Sequence, residues 1–304
     1  MSAAKTEVEL EAARQRRRLW ATSGPGLTWI VLFLLIPSLV LLGIAFLSAD
    51  DYGAPKLPLS VQPFQQVAGF SLLGWDSGNI VILLRSLKQA GIATLVSAVL
   101  AYPLVFFILS RPASVRPLLL LFIVLPSWTN QVVRTYAWLE LLGPNAPLTW
   151  VAHALHIVPP DLGLAPGSFA VTTGLAYNYL PYMIVPLYAS AEKLDWTLVE
   201  AGRDLYASGV KLFWHAVFPQ TLPGLLSGVI FVAIPAFGDY VVPQLLGGDK
   251  ALMIGSLIAN QFTETPDWPY GAALTLIMLV FTGIGLVAFR LVSRRLGGAE
   301  EASI

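Results

Sequence analysis

The sequence contains no cysteine and only three histidines. Without thiols there is no disulfide framework, no thiol nucleophile and no cysteine metal site. His153 and His156 stand three residues apart with no Asp, Glu or Cys beside them, a poor metal-ligand set, and His215 stands alone. Charge is also scarce: Asp, Glu, Lys and Arg make up 12% of the chain, against about 25% in a typical soluble domain. The 18 basic and 18 acidic residues cancel, which argues against a nucleic-acid partner. Neither a G-x-x-x-x-G-K-[ST] phosphate loop nor a G-x-S-x-G elbow occurs. The chain is therefore not expected to hydrolyse ATP or to act as an enzyme, and no cofactor is expected in it.

Apolar residues are abundant instead, at 56% of the chain with a mean hydropathy of +0.70. Six stretches are long, apolar and poor in charge: Leu27–Leu47, Gln89–Leu109, Leu118–Leu142, Ser168–Ser190, Pro223–Pro243 and Tyr270–Val292. Runs of about 18 or more such residues are transmembrane candidates, and helices satisfy their own backbone in lipid. The expected class is an all-α integral membrane protein, with membrane lipid as its first partner. Basic residues set the direction. With the N-terminus inside, the inner side holds 13 Lys and Arg, among them Arg16, Arg17, Arg18, Arg111, Arg116, Lys193, Arg203 and Lys211. The outer side holds four: Lys56, Arg85, Lys88 and Lys250. This bias predicts that both termini are cytoplasmic. The first apolar run is too long for a signal peptide and has no A-x-A site after it. The residues before it suit a short amphipathic helix on the membrane surface.

Between the spans, the outer loop 48–78 is rich in Pro and Gly and is expected to be irregular. A short helical pattern, Leu148–Val158, sits among the prolines of 143–167. The longest inner loop, 191–222, is amphipathic. Asp195 is placed to N-cap a helix whose apolar side holds Leu198, Val199 and Leu205. A second amphipathic stretch, Val210–Val217, follows a turn near Gly209, and Pro219 and Pro223 suit a break before the fifth span. Two such helices form a knob for a groove on a soluble partner, or a pair resting on lipid.

Glu200-Ala201-Gly202-Arg203-Asp204-Leu205-Tyr206-Ala207-Ser208, closing at Pro219, resembles the coupling loop of ABC-transporter permeases. That signature runs Glu-Ala-Ala, three residues, Gly, nine residues, then Ile-x-Leu-Pro. Glu200, Ala201 and Pro219 match it, while Gly202, Tyr206, Ala216 and Phe218 depart from it. Leu125-Pro126-Ser127-Trp128-Thr129 and Arg134-Thr135-Tyr136-Ala137-Trp138 resemble the third helix of polyamine permeases. The run Ile234–Gly248, with Met253-Ile254-Gly255 and Asp267-Trp268-Pro269, resembles their fifth helix and outer turn. These motifs are similar to the spermidine/putrescine permeases of type I ABC importers, most of all the putrescine type.

The resemblance implies a six-helix permease in the bacterial inner membrane. It divides the chain into a cytoplasmic segment 1–26, a first helix and outer loop 27–78, a permease domain 79–292 with the coupling loop 191–222, and a tail 293–304. It implies a second permease subunit, two copies of an ATP-binding subunit holding ATP and Mg, and an outer substrate-binding protein. Coupling to the ATPase would fall to Glu200, Ala201, Gly202, Arg203, Asp204, Leu205, Tyr206 and Gly209. An importer of another solute such as an opine, or an ion-driven carrier, are the alternatives.

Three ionisable residues fall inside the spans: Arg134, Glu140 and Asp239. Such groups face the bundle interior or water. Arg134 and Asp239 each lie about 24 Å from the inner end of their span, so they are expected either to pair or to leave Asp239 for a cationic substrate. Trp128, Tyr136, Trp138, Tyr177, Tyr179 and Tyr240 are candidate wall residues, because aromatic faces attract ammonium groups. Helical spacing is expected to put Trp128, Thr135 and Trp138 on one face.

Overall fold

The structure is a computed structural model, which describes residues 22–71, 74–159, 162–204, 208–248 and 251–301. The expected surface helix before residue 22, and Leu205 and Tyr206 of the coupling loop, lie outside the described residues.

The chain enters through α1 (Thr22–Ile44), an apolar helix exposed along almost its whole length, as a lipid-facing span requires. The outer loop is more regular than its Pro/Gly content suggested. Strands β1 (Leu47–Ala49) and β2 (Pro55–Leu59) pair antiparallel, α2 (Gln62–Val67) follows, and β3 (Phe70–Ser71) pairs with β4 (Gly74–Trp75). Its prolines fall at strand edges and in a helix first turn, where no N–H is needed.

α3 (Gly78–Leu109) has 32 residues and starts well before the expected Gln89. Its outer turn is tied to the loop by Asn79, whose amide donates to Gln66 O. Arg116 donates from Nη2 to Leu109 O and from Nε to Arg111 O, which supplies the inner end of α3 with donors.

The expected third span is a correction: it is not one straight helix. α4 (Arg116–Val124) tightens into a 3-10 turn at Leu125–Trp128, Thr129 is extended, and α5 (Gln131–Leu142) begins anew, capped by Asn130. The two arms meet at 92°. Pro126 lacks the N–H an uninterrupted helix would need, and the new helix starts on Asn130, whose side chain accepts the otherwise orphan Val132 N–H. The short pattern after this becomes α6 (Pro147–Ala154).

α7 (Ser168–Ala191) lies at the centre, packed along both α3 and a later helix, α9. α8 (Trp196–Asp204) forms the inner knob. From Gly209 the chain runs without interruption into the membrane as α9 (Gly209–Gly238). The break expected at Pro219 and Pro223 is therefore absent. A π turn at Phe213–Val217 widens the helix just before Pro219 and accommodates its ring. The span's outer limit is corrected as well: α9 stops at Gly238, not Pro243, and α10 (Val241–Leu246) sets off after Asp239 and Tyr240. α11 (Ile254–Thr263) and α12 (Trp268–Glu301) complete the chain.

α7 and α9 approach closely because glycines line the contact. A Cβ at Gly224 would stand 2.4 Å from Ser190 Cβ, and one at Gly228 would stand 2.5 Å from Met183 Sδ. Two apolar cores result. The outer one joins Leu175, Val242, Leu246, Met253 and Leu274, and the inner one joins Val105, Ile184, Leu187, Val199 and Leu212.

By length and composition, four helices among the described residues are apolar enough to cross a membrane: α1, α3, α9 and the Trp268–Leu291 part of α12. The bent α4–α6 stretch makes a fifth if it is one span. α7, with 24 residues, is long enough but lies outside that apolar set.

Candidate translocation site and coupling surface

Asp239 sits where α9 ends. Its backbone turns extended (φ −64, ψ 135), and its side chain is 6% exposed. Oδ1 accepts Val242 N–H at 3.1 Å, which satisfies a donor at the start of α10. Oδ2 accepts Gln131 Nε2 at 2.8 Å and the Tyr179 hydroxyl at 2.8 Å. One carboxylate thus joins α5, α7 and α10 through three neutral donors.

The expected Arg134–Asp239 ion pair is a correction: among the described residues the two are not paired. Gln131, one turn earlier on α5, takes the place facing Asp239, and three neutral donors hold the carboxylate. Arg134 Nε is buried and has no hydrogen-bond partner. Glu140 is exposed on the isolated chain rather than turned inward.

Of the expected wall residues, Tyr240 and Tyr136 are about half exposed, and Tyr177 packs edge-on against Trp138 at 5.4 Å between ring centroids. Trp128 is 77% exposed and lies across the bend, while Thr135 is buried, so the one-face arrangement of Trp128, Thr135 and Trp138 is not found. Gln131 was missed, and Tyr179 was expected only as an aromatic wall residue, not as a donor to Asp239. They are 108 and 60 residues from Asp239 and carry no charge to draw attention.

At the inner end Asp195 caps α8 as expected, accepting the Thr197 N–H at 2.9 Å and its hydroxyl at 2.6 Å. These bonds, the hydroxyl first and the N–H second, hold the Asp195 carboxyl below its ordinary range. Gln220 was not foreseen. Its Oε1 accepts Asp195 N–H at 2.9 Å, its Nε2 donates to Ala216 O, and its carbonyl accepts from Ser190 Oγ. It therefore ties the knob to α9 and α7.

Gly202, where the coupling signature has Ala, faces α9: a Cβ there would stand 2.6 Å from Leu212 Cδ1. Glu200, Ala201, Arg203 and Asp204 are exposed, beside exposed Trp196, Leu198, Val210 and Trp214. Gly209 opens α9 in place of the expected turn, with Ser208 as its cap. Leu198, Gly202, Leu212, His215 and Pro219 line an open groove on this surface.

The family model for the inner membrane component of binding-protein-dependent transport systems matches residues 12–298. This chain belongs to that family. The permease is 37% identical over 273 residues to the spermidine/putrescine transport system permease protein PotB of Escherichia coli (strain K12), covering 90% of this chain and 97% of that one. It is 33% identical to the PotB of Haemophilus influenzae, covering 88% and 93%, and 30% identical to the inner membrane ABC transporter permease protein YdcU of Escherichia coli, covering 86% and 85%. Among solved structures, the fold resembles a chain of a bacterial alginate ABC transporter, with a TM-score of 0.71 at 13% identity, covering 94% of this chain and 97% of that one. A chain of the MetNI methionine ABC transporter follows at a TM-score of 0.54 and 13% identity, covering 71% and 95%. The permease therefore has the type I ABC importer permease fold. It is a multi-pass inner-membrane transport subunit rather than an enzyme, and in this family ATP is bound by a partner ATPase.

Proposed function

We propose that this permease carries polyamines of the putrescine/spermidine class into the cytoplasm. It supplies half of the pathway and one docking knob. A companion permease supplies the other half, two ATPase subunits bind ATP and Mg, and an outer binding protein delivers the substrate. The observation that carries the reading is Asp239, a buried carboxylate at the outer mouth of the bundle, held by neutral donors and next to exposed Tyr240. A carboxylate without a paired cation attracts an arriving ammonium group more strongly than one already neutralised. The identity with polyamine permeases over most of the chain supports the same substrate class.

In this reading α7 counts as a crossing, which makes six, and both termini are inside. ATP-driven closure of the ATPase dimer pushes on Glu200–Asp204 and the start of α9. Because α9 is one continuous helix, the push reaches Asp239 at its far end. There the carboxylate exchanges its donors for the substrate and then regains them.

Two measurements test this. A panel of radiolabelled solutes presented on the cognate binding protein to the reconstituted transporter should show uptake of putrescine or spermidine. Uptake of an opine alone would overturn the substrate class. Independently, Ala201→Asp places a carboxylate in the docking surface and should cut copurification of the ATPase while the membrane fold persists. Copurification at the wild-type level would remove the knob from the coupling role.

A further inference from the structure

α9 and α12 run antiparallel and touch near the outer end of α9, where a Cβ on Gly238 would run into Met278 Cε. Inward of that contact they part. A Cβ on Gly285 would meet nothing within 4 Å. The gap is a groove of about 270 Å³. One wall follows α9 from Val229 to Phe237, and the other follows α12 from Phe281 to Phe289. Both keep the i, i+4, i+8 spacing of a single helix stripe. Leucines from the outer half of α3 join them, among them Leu87. The lining is Leu, Ile, Val, Ala, Gly and Phe, with one hydroxyl from Thr282.

The length of the groove suits one leaflet. The stripe from Phe281 to Phe289 is about 12 Å long, and half of a hydrocarbon core about 30 Å thick is about 15 Å. Its inner mouth carries a charge. Thr282 and Leu286 share one row of α12, and the next residue on that row is Arg290, which is exposed. Arg290 is 22 residues from Trp268, about 33 Å along the helix. In the proposed orientation it therefore stands at the cytoplasmic headgroups. Among the described residues its guanidinium has no hydrogen bond or ion pair.

Size and charge together select the occupant. A helix is about 10–12 Å across with its side chains, too broad for a wedge whose walls touch at one end. An acyl chain is narrow enough to enter, and a phosphate complements Arg290. The cytoplasmic leaflet is a source of anionic lipid, and basic positions between helices on that side suit its headgroups.

We propose that the α9–α12 groove holds one acyl chain of an anionic phospholipid from the cytoplasmic leaflet, with its phosphate on the Arg290 guanidinium. The chain then packs against α9, the helix that joins the knob to Asp239. Nothing in this site depends on which solute is carried.

The test reads lipid directly. The purified complex in detergent, given equal phosphatidylglycerol and phosphatidylcholine, should retain phosphatidylglycerol preferentially in native mass spectrometry. Arg290→Gln should lower that preference about tenfold, the scale of one hydrogen bond to a charged group. Gly285→Leu fills the groove where a Cβ has room, and should remove one retained lipid per copy of this permease. Ala233→Leu fills it from the facing wall and should act alike. Gly283→Leu adds the same side chain to α12 outside the groove lining and should remove none.

Wild-type retention in both filling variants overturns the site and leaves annular lipid only. Equal retention of the two lipids by the wild type overturns the anionic headgroup. The chain has no cysteine, so Gly285→Cys supplies a single thiol for a short cross-linker. Efficient cross-linking to the companion permease would place a protein segment in the groove and overturn the lipid.

Discussion

Asp239 and Arg134 show how a single charge is read differently once its neighbours are known. With Gln131, Tyr179 and Val242 N–H all donating to it, Asp239 does not need Arg134 for neutralisation. Replacing it with Asn turns one acceptor into a donor facing donors. This should lower the melting temperature of the complex, with a cost on the order of 1–3 kcal/mol for the mismatched bond. Arg134→Gln should not rescue that loss, and the two changes should add. Thermal melting and uptake of both single variants and the double variant measure this. Recovery in the double variant would mean that the two residues are paired after all. The sequence pointed to Asp239 because an acid in an apolar run is conspicuous. It was silent on Gln131 and offered Tyr179 only as an aromatic wall residue; their bonds to Asp239 come from the bend at Thr129–Asn130 and the end of α9, not from their own chemistry.

At the scale of elements, α7 was legible nearly to the residue, because an uncharged run bounded by Gly167 and Glu192 leaves few choices. α9 was not, since Pro219 and Pro223 read as helix breakers, and local sequence does not announce a π turn that absorbs one of them. The difference matters for coupling, because a continuous helix transmits a push that a hinge would absorb. Gln220 is the clamp that makes the knob and α9 one body, so Gln220→Ala should leave ATPase docking intact while weakening polyamine-stimulated ATP hydrolysis. Equal stimulation in the variant would show that apolar packing of Val199 and Leu212 alone holds the knob. The Asp195 cap adds a pH signature. Its carboxyl is lowered in the folded knob, so the cap's contribution is complete above the ordinary Asp range and is lost as pH falls through the depressed value. Fraying of α8, followed by hydrogen exchange, should therefore begin only in strong acid, and Asp195→Ala should fray it at neutral pH.

For the whole molecule, the charge bias predicts a direction, and the length of α3 explains an apparent exception to the apolar rule. A helix of 32 residues is about 48 Å long, while the hydrocarbon core is about 30 Å thick. With its inner end held at the interface by Arg116, the outer end must project beyond the lipid. Arg85 and Lys88, about 10 and 15 Å from that outer end, then stand near the outer headgroups and not in hydrocarbon. At this projecting end the Asn79 amide donates to Gln66 O of α2, and the Tyr270 hydroxyl donates to Asn79 Oδ1 to join it to the start of α12, against which α2 and β1 pack. The opposite orientation would put this folded outer platform in the cytoplasm and the coupling knob outside, away from any ATPase. Because the chain has no cysteine, single introduced thiols report sidedness without background. Tyr52→Cys, in the exposed turn after β1, should react with a membrane-impermeant maleimide on intact spheroplasts. Ser114→Cys, in the exposed turn between α3 and α4, should react only after the membrane is permeabilised. The reverse labelling pattern would invert the molecule and remove the inner knob from reach of its ATPase.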